Sequence, residues 1–165
     1  MPILDRHTFD FFSRSAEQTR RIGARLGRGL QSGDLVCLQG DLGAGKTTFA
    51  QGVAQGWGSL DGATSPTFVL VNEYSRPDGG VLFHLDGYRL ESPLEAEEMD
   101  MDRMLKEGAL LIEWPERMQT VLPDEELRVL LEYVADEQRR IQFIARGARY
   151  DDLIERLQQE MFGVS

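Results

Sequence analysis

The sequence predicts an α/β fold with a mainly parallel central sheet, antiparallel strand pairs added at its edges, and flanking helices. Three observations predict it. Residues 35–38 (Leu-Val-Cys-Leu) and 109–112 (Ala-Leu-Leu-Ile) are short apolar runs bounded by polar residues, the mark of buried strands. Segments with helical spacing of apolar residues lie between such runs. The first run leads directly into a glycine-rich loop that opens a helix: Gly40-Asp41-Leu42-Gly43-Ala44-Gly45-Lys46-Thr47-Thr48.

That loop fits the pattern Gly, four residues, Gly-Lys-Ser/Thr at every fixed position, and it stands between a strand and a helix as the pattern requires. Glycines let a phosphate approach the backbone closely, and the loop N–H groups converge at the positive end of a helix. Lys46 supplies a mobile charge for the β- and γ-phosphates, and Thr47 places a hydroxyl where Mg²⁺ sits in such loops. The fold expected is therefore that of a phosphate-loop NTPase, with residues 1–165 forming a single domain.

The remaining elements follow in order. Residues 7–12 (His-Thr-Phe-Asp-Phe-Phe) have strand composition. Ser15 with Gln18 is a capping-box pattern, and Thr19, Ile22, Leu26 and Leu30 recur at helical spacing up to Gly33. Arg21, Arg25 and Arg28 share another face, which reads as a solvated side or as a surface for an acidic partner or RNA. The helix after the glycine loop runs to about Trp57, broken by Gly56 and Gly58. Residues 68–74 and 81–86 read as two strands of a hairpin around Pro77, Asp78, Gly79 and Gly80. Ser92-Pro93 opens a helix with an acidic patch at Glu95, Glu97, Glu98, Asp100 and Asp102. Residues 127–134 and 140–145 read as paired strands joined at Asp136, and residues 150–162 as a last helix with Leu153, Ile154 and Leu157 inward.

Five further residues are candidates for chemistry. Asp86 and Glu113 each end an apolar strand, where the second acidic element of a phosphate-loop enzyme binds Mg²⁺ or orients the attacking water. Spacing does not say which acid does which. Thr67, in Ser65-Pro66-Thr67-Phe68, is a hydroxyl that senses the γ-phosphate and metal or a turn residue that starts a strand. Trp114 follows Glu113 and packs over the nucleotide or is an ordinary half-buried aromatic. His84, two residues before Asp86, shares its side of the strand and reads as packed, hydrogen-bonded, or a partner of Asp86.

Composition narrows the function. The net charge is −10 and the pI about 4.7, which argues against gripping nucleic acid unaided. There is no apolar run long enough to span a membrane, and no signal-peptide pattern at the start, so a cytoplasmic location is expected. The single cysteine, Cys37, reads as a small buried hydrophobe.

Four stretches in one order resemble a known family: residues 40–48; Ser65-Pro66-Thr67-Phe68 leading to Asn72-Glu73-Tyr74; His84-Leu85-Asp86-Gly87-Tyr88-Arg89; and Ile112-Glu113-Trp114-Pro115-Glu116-Arg117. The chain resembles the small bacterial phosphate-loop ATPase required to make threonylcarbamoyladenosine in tRNA. The resemblance implies slow Mg²⁺-dependent ATP hydrolysis, weak alone and stimulated by a catalytic and a scaffold subunit of the threonylcarbamoyl transfer complex, with tRNA contacted indirectly. It implies that residues 40–48 hold the phosphates, that Thr47 and Glu113 are metal-site residues, that Asp86 and Thr67 serve hydrolysis and switching, and that Trp114 lies near the nucleotide. Gly87 departs from the family pattern, in which a larger residue is expected. The adenine contacts are carried by no motif, with Thr19 the nearest guess.

A small-molecule kinase is the alternative. Such kinases add an arginine-bearing lid, for which Arg89, Arg103 and Arg117 are the available residues. A GTP switch lacks support, because no Asn/Thr-Lys-x-Asp stretch is present.

Overall fold

The structure is a computed structural model, and it describes residues 6–59, 71–90, 93–97 and 99–163. Seven strands form one sheet in the order β1-β7-β6-β2-β5-β4-β3. The strands are β1 (Thr8–Ser13), β2 (Leu35–Gln39), β3 (Val71–Ser75), β4 (Val81–Asp86), β5 (Gly108–Glu113), β6 (Glu126–Ala135) and β7 (Gln138–Arg146). The four central strands, β6, β2, β5 and β4, run parallel. β3 pairs antiparallel with β4 at one edge, and β7 and β1 continue antiparallel from β6 at the other.

β2 is the centre of the sheet and is buried on both faces, as a parallel central strand must be. Val36 and Leu38 pack toward α1 (Ala16–Gly29), α2 (Lys46–Trp57) and α5 (Ala148–Phe162), with Ile22, Leu26, Phe49, Val53 and Leu153. Leu35 and Cys37 pack on the opposite face with Met101 and Met104 of α4 (Met101–Glu107). Cys37 is buried as expected, but its thiol also has a polar partner, Glu126 Oε2 at 3.3 Å.

Ser15 caps α1: its Oγ accepts from Gln18 N at 3.1 Å. The reciprocal bond falls one residue early, because Gln18 Oε1 accepts from Arg14 N. Thr19, Ile22, Leu26 and Leu30 are all buried. α5 is tied to the start of β2 by two contacts. Tyr150 Oη accepts from Leu35 N at 2.8 Å, and Arg149 makes paired bonds to both oxygens of Asp34.

Two sequence expectations need correction. Gly56 does not break α2, which ends at Gly58, a residue at φ 98°. α1 and α2 cross so closely that a Cβ at Gly52 or Gly56 would collide with the carbonyl oxygens of Arg20 and Ala24. The acidic segment after Ser92 is two short helices, α3 (Pro93–Glu97) and α4, because Asp100 takes a left-handed φ of 51° and caps Arg103 N. Glu98 and residues 68–70 of the expected hairpin lie outside the described residues. The rest of the hairpin is present, closed between Arg76 and Gly80.

Candidate functional site

β2 delivers the chain to the C-terminal end of the sheet, where residues 40–45 form the glycine loop and α2 begins at Lys46. Gly43 and Gly45 have φ of 82° and 98°, a region that a side chain strongly disfavours. Ala44 N donates to Asp41 O, which tightens the turn. α2 therefore starts with its first N–H groups at the mouth of a cleft of about 440 Å³.

The walls of this cleft come from neighbouring strands. Asp86 ends β4 and Glu113 ends β5, and the two are register partners across a parallel pair. Their side chains therefore stand side by side on the face that α2 covers. Asp86 Oδ1 accepts from Tyr88 N at 3.0 Å and caps the 3₁₀ turn Gly87–Arg89. Glu113 Oε2 is 2.7 Å from His84 Nε2, so the histidine's partner is Glu113 rather than Asp86. The ring of Tyr74 stacks on His84 at 6.3 Å, and burial with the nearby Glu113 charge raises its phenol pKa.

Trp114 follows β5 at φ 58°, fixed by its N–H to Leu38 O, and its ring meets Tyr88 at 5.1 Å. Lys46 lies under it. Its Nζ is 3.4 Å from the Trp114 ring centroid and donates to Gly40 O. Burial lowers the Lys46 pKa, while Glu113, Glu116, Asp86 and Asp41 pull it upward. Leu42, Gly43 and Gly45 of the loop, with Lys46, Thr47, Thr48, Asp86, Glu113 and Trp114, thus line one cleft, while Gly40, Asp41 and Ala44 line a second recess that shares Leu42 with it. Thr67 lies outside the described residues.

Several residues at the site were not singled out from sequence. The hairpin between β6 and β7 reaches the glycine loop, and Arg139 lines both the cleft and an adjoining recess of about 40 Å³ beside Ala16, Thr19, Gly45, Thr48 and Glu137. Arg139 Nη1 donates to Asp136 O and Gln138 O, while its buried Nε has no hydrogen-bond partner among the described residues. Glu137 Oε1 accepts from Ala16 N at 2.9 Å. Thr19 does border this recess, with its hydroxyl bound to Ser13 Oγ at 2.6 Å. A basic residue just after a hairpin turn gives no signal by itself. What brings it here is the position of β6 next to β2. Of the arginines considered for a lid, Arg103 pairs instead with Glu107 and Asp100 on α4.

A cation here would meet oxygen donors. Among the described residues no group of three His, Cys, Asp or Glu side chains is arranged to hold a metal. Thr47 with one or two carboxylates suits Mg²⁺, which is commonly held by few protein oxygens together with substrate phosphates.

A mixed α/β protein with a glycine loop at the C-terminal end of its central parallel strand, faced by two strand-end acids, is the class that fold and site define. The sequence profile of the family described as "Threonylcarbamoyl adenosine biosynthesis protein TsaE" matches residues 13–141. The tRNA threonylcarbamoyladenosine biosynthesis protein TsaE of Bacillus subtilis is 39% identical over 143 residues, 86% of this chain and 88% of the relative. Its namesake in Streptomyces coelicolor is 39% identical over 137 residues, 79% and 93% of the two chains. The crystal structure of YdiB from Bacillus subtilis superposes with a TM-score of 0.77 at 33% identity, covering 93% of this chain and 96% of that one. The chain belongs to the TsaE family.

Proposed function

We propose that this chain is a Mg²⁺-dependent ATPase of the phosphate-loop fold that supports threonylcarbamoyladenosine modification of tRNA next to the anticodon. It acts as a single cytoplasmic domain beside the catalytic and scaffold subunits of the transfer complex. One observation carries the reading: Lys46, the glycine loop and the register-paired Asp86 and Glu113 converge on one cleft in a member of this family.

The roles follow from position. The loop N–H groups and the start of α2 receive the β-phosphate, and Lys46 swings from the Trp114 face to the β/γ-phosphates. Thr47 and Glu113 hold Mg²⁺, which supplies charge neutralisation across the phosphates when bound. Asp86 orients the attacking water, and Thr67 senses the γ-phosphate. Trp114 shields the phosphates from bulk water. The recess at Thr48, Glu137 and Arg139, which shares Gly45, Thr48 and Arg139 with the cleft but neither acid, takes the nucleoside. Glu137 is placed there to favour the exocyclic amine of adenine over the oxygen of guanine.

The test is equilibrium binding of ATP and GTP with and without Mg²⁺, with a screen for phosphoryl transfer to small molecules. ATP preference, Mg²⁺ dependence and water as acceptor support the ATPase. Rapid transfer to a small molecule identifies a kinase instead.

A further inference from the structure

We propose that His84 is a positioning residue for Glu113: it fixes the carboxylate in the orientation that receives Mg²⁺. The inference rests on the reading of Glu113 as a metal-site residue. His84 Nε2 and Glu113 Oε2 are 2.7 Å apart, and the two side chains are only 12% and 13% exposed. A carboxylate only accepts, so Nε2 is the donor. Nδ1 is buried and has no hydrogen-bond partner among the described residues. The polar capacity that this ring uses is thus directed to Glu113.

The ring cannot readily turn away. Tyr74 of β3 stacks against it with an interplanar angle of 27°, and β3 and β4 hold the two residues through a continuous ladder. Glutamate is a long side chain with several rotamers. Binding one oxygen to a fixed imidazole selects one of them before any cation arrives. Partners of this kind, lying behind a metal ligand, typically change metal affinity by about 10–100-fold when removed. A histidine present only to fill space has no such effect.

Two substitutions of similar bulk separate the roles: H84Q keeps an N–H donor at the far end of the side chain, and H84M removes it. The measurement is a Mg²⁺ titration of binding of a fluorescent ATP analogue, on protein whose thermal transition confirms folding. H84M is expected to raise the Mg²⁺ needed for half-maximal binding by about 10–100-fold, with Mg²⁺-free nucleotide binding unchanged. H84Q is expected to recover most of the loss, and H84M added to E113Q to add little. If E113Q shifts the titration and H84M does not, the positioning role is overturned and the metal-site reading stands. If E113Q itself leaves the titration unchanged, the metal-site reading fails and the positioning role fails with it.

Discussion

Lys46 sits between two kinds of partner, the Gly40 carbonyl with the Trp114 ring above it, and the acids around the cleft. Burial makes its charge costly there, and phosphate oxygens would supply the compensation. Lys46→Ala should weaken ATP binding by about 10–150-fold, the range for loss of a charged hydrogen bond of about 1.5–3 kcal/mol, as calorimetry would register. Glu113→Ala should reduce Mg²⁺-dependent hydrolysis more than nucleotide binding. Normal hydrolysis by Glu113→Ala together with its loss in Asp86→Ala would reverse the two roles. The loop, Lys46 and Thr47 were legible in the sequence because their signal is local and contiguous. The partner of His84 was not. Spacing along β4 puts His84 on the side of Asp86, but its contact is with Glu113 on the next strand, and strand neighbours are not written in one strand's sequence. Arg139 was hidden for the same reason.

At the scale of elements, the crossing of α1 and α2 depends on glycines on both helices. A Cβ at Gly23 or Gly27 would strike the carbonyls of Phe49 and Val53, as one at Gly56 would strike Ala24. Glycine to alanine in an open helix gains about 1 kcal/mol, whereas overpacking a tight contact costs about 1–3 kcal/mol. With backbone as the obstacle the second term wins, so Gly56→Ala should lower stability in a denaturant titration; a gain would refute the close crossing. Sequence read Gly56 as a helix breaker because propensity is local and the approach of α1 is tertiary. The cap at Ser15 was legible for the opposite reason. The docking of α5 has its own signature. Burial raises the Tyr150 pKa to about 12 from 10.0. Below pH 10 the phenol is protonated in both folded and unfolded chains, so its contribution is constant. Between pH 10 and 12 the unfolded chain ionises first, and stability falls as pH rises. Tyr150→Phe should remove that slope. It should also cost about 1–3 kcal/mol at neutral pH, because the buried Leu35 N–H loses its acceptor.

At the scale of the whole molecule, a net charge of −10 opposes direct capture of tRNA. The charges of the arginine stripe of α1 are already counted in that net figure. Arg20 and Arg21 pair with Glu17, Arg25 donates to the carbonyl of Glu160, and Arg28 lies over that of Ala24. The chain alone should therefore bind tRNA weakly, and its nucleotide cycle should matter through protein partners. The sheet's parallel centre and antiparallel edges were legible, since apolar runs of strand length alternate with helical ones and two hairpins, at residues 71–86 and 126–146, supply the antiparallel pairs. The strand order was not, and it is the order that brings β4, β5 and the β6–β7 hairpin around one loop. The central claim is best tested by ATP hydrolysis of the purified chain, alone and with the two partner subunits and tRNA, for wild type and Lys46→Ala. Low activity alone, a rise that requires the partners, and loss of that rise in Lys46→Ala are the expected results. Equal, low activity in every mixture would contradict the claim.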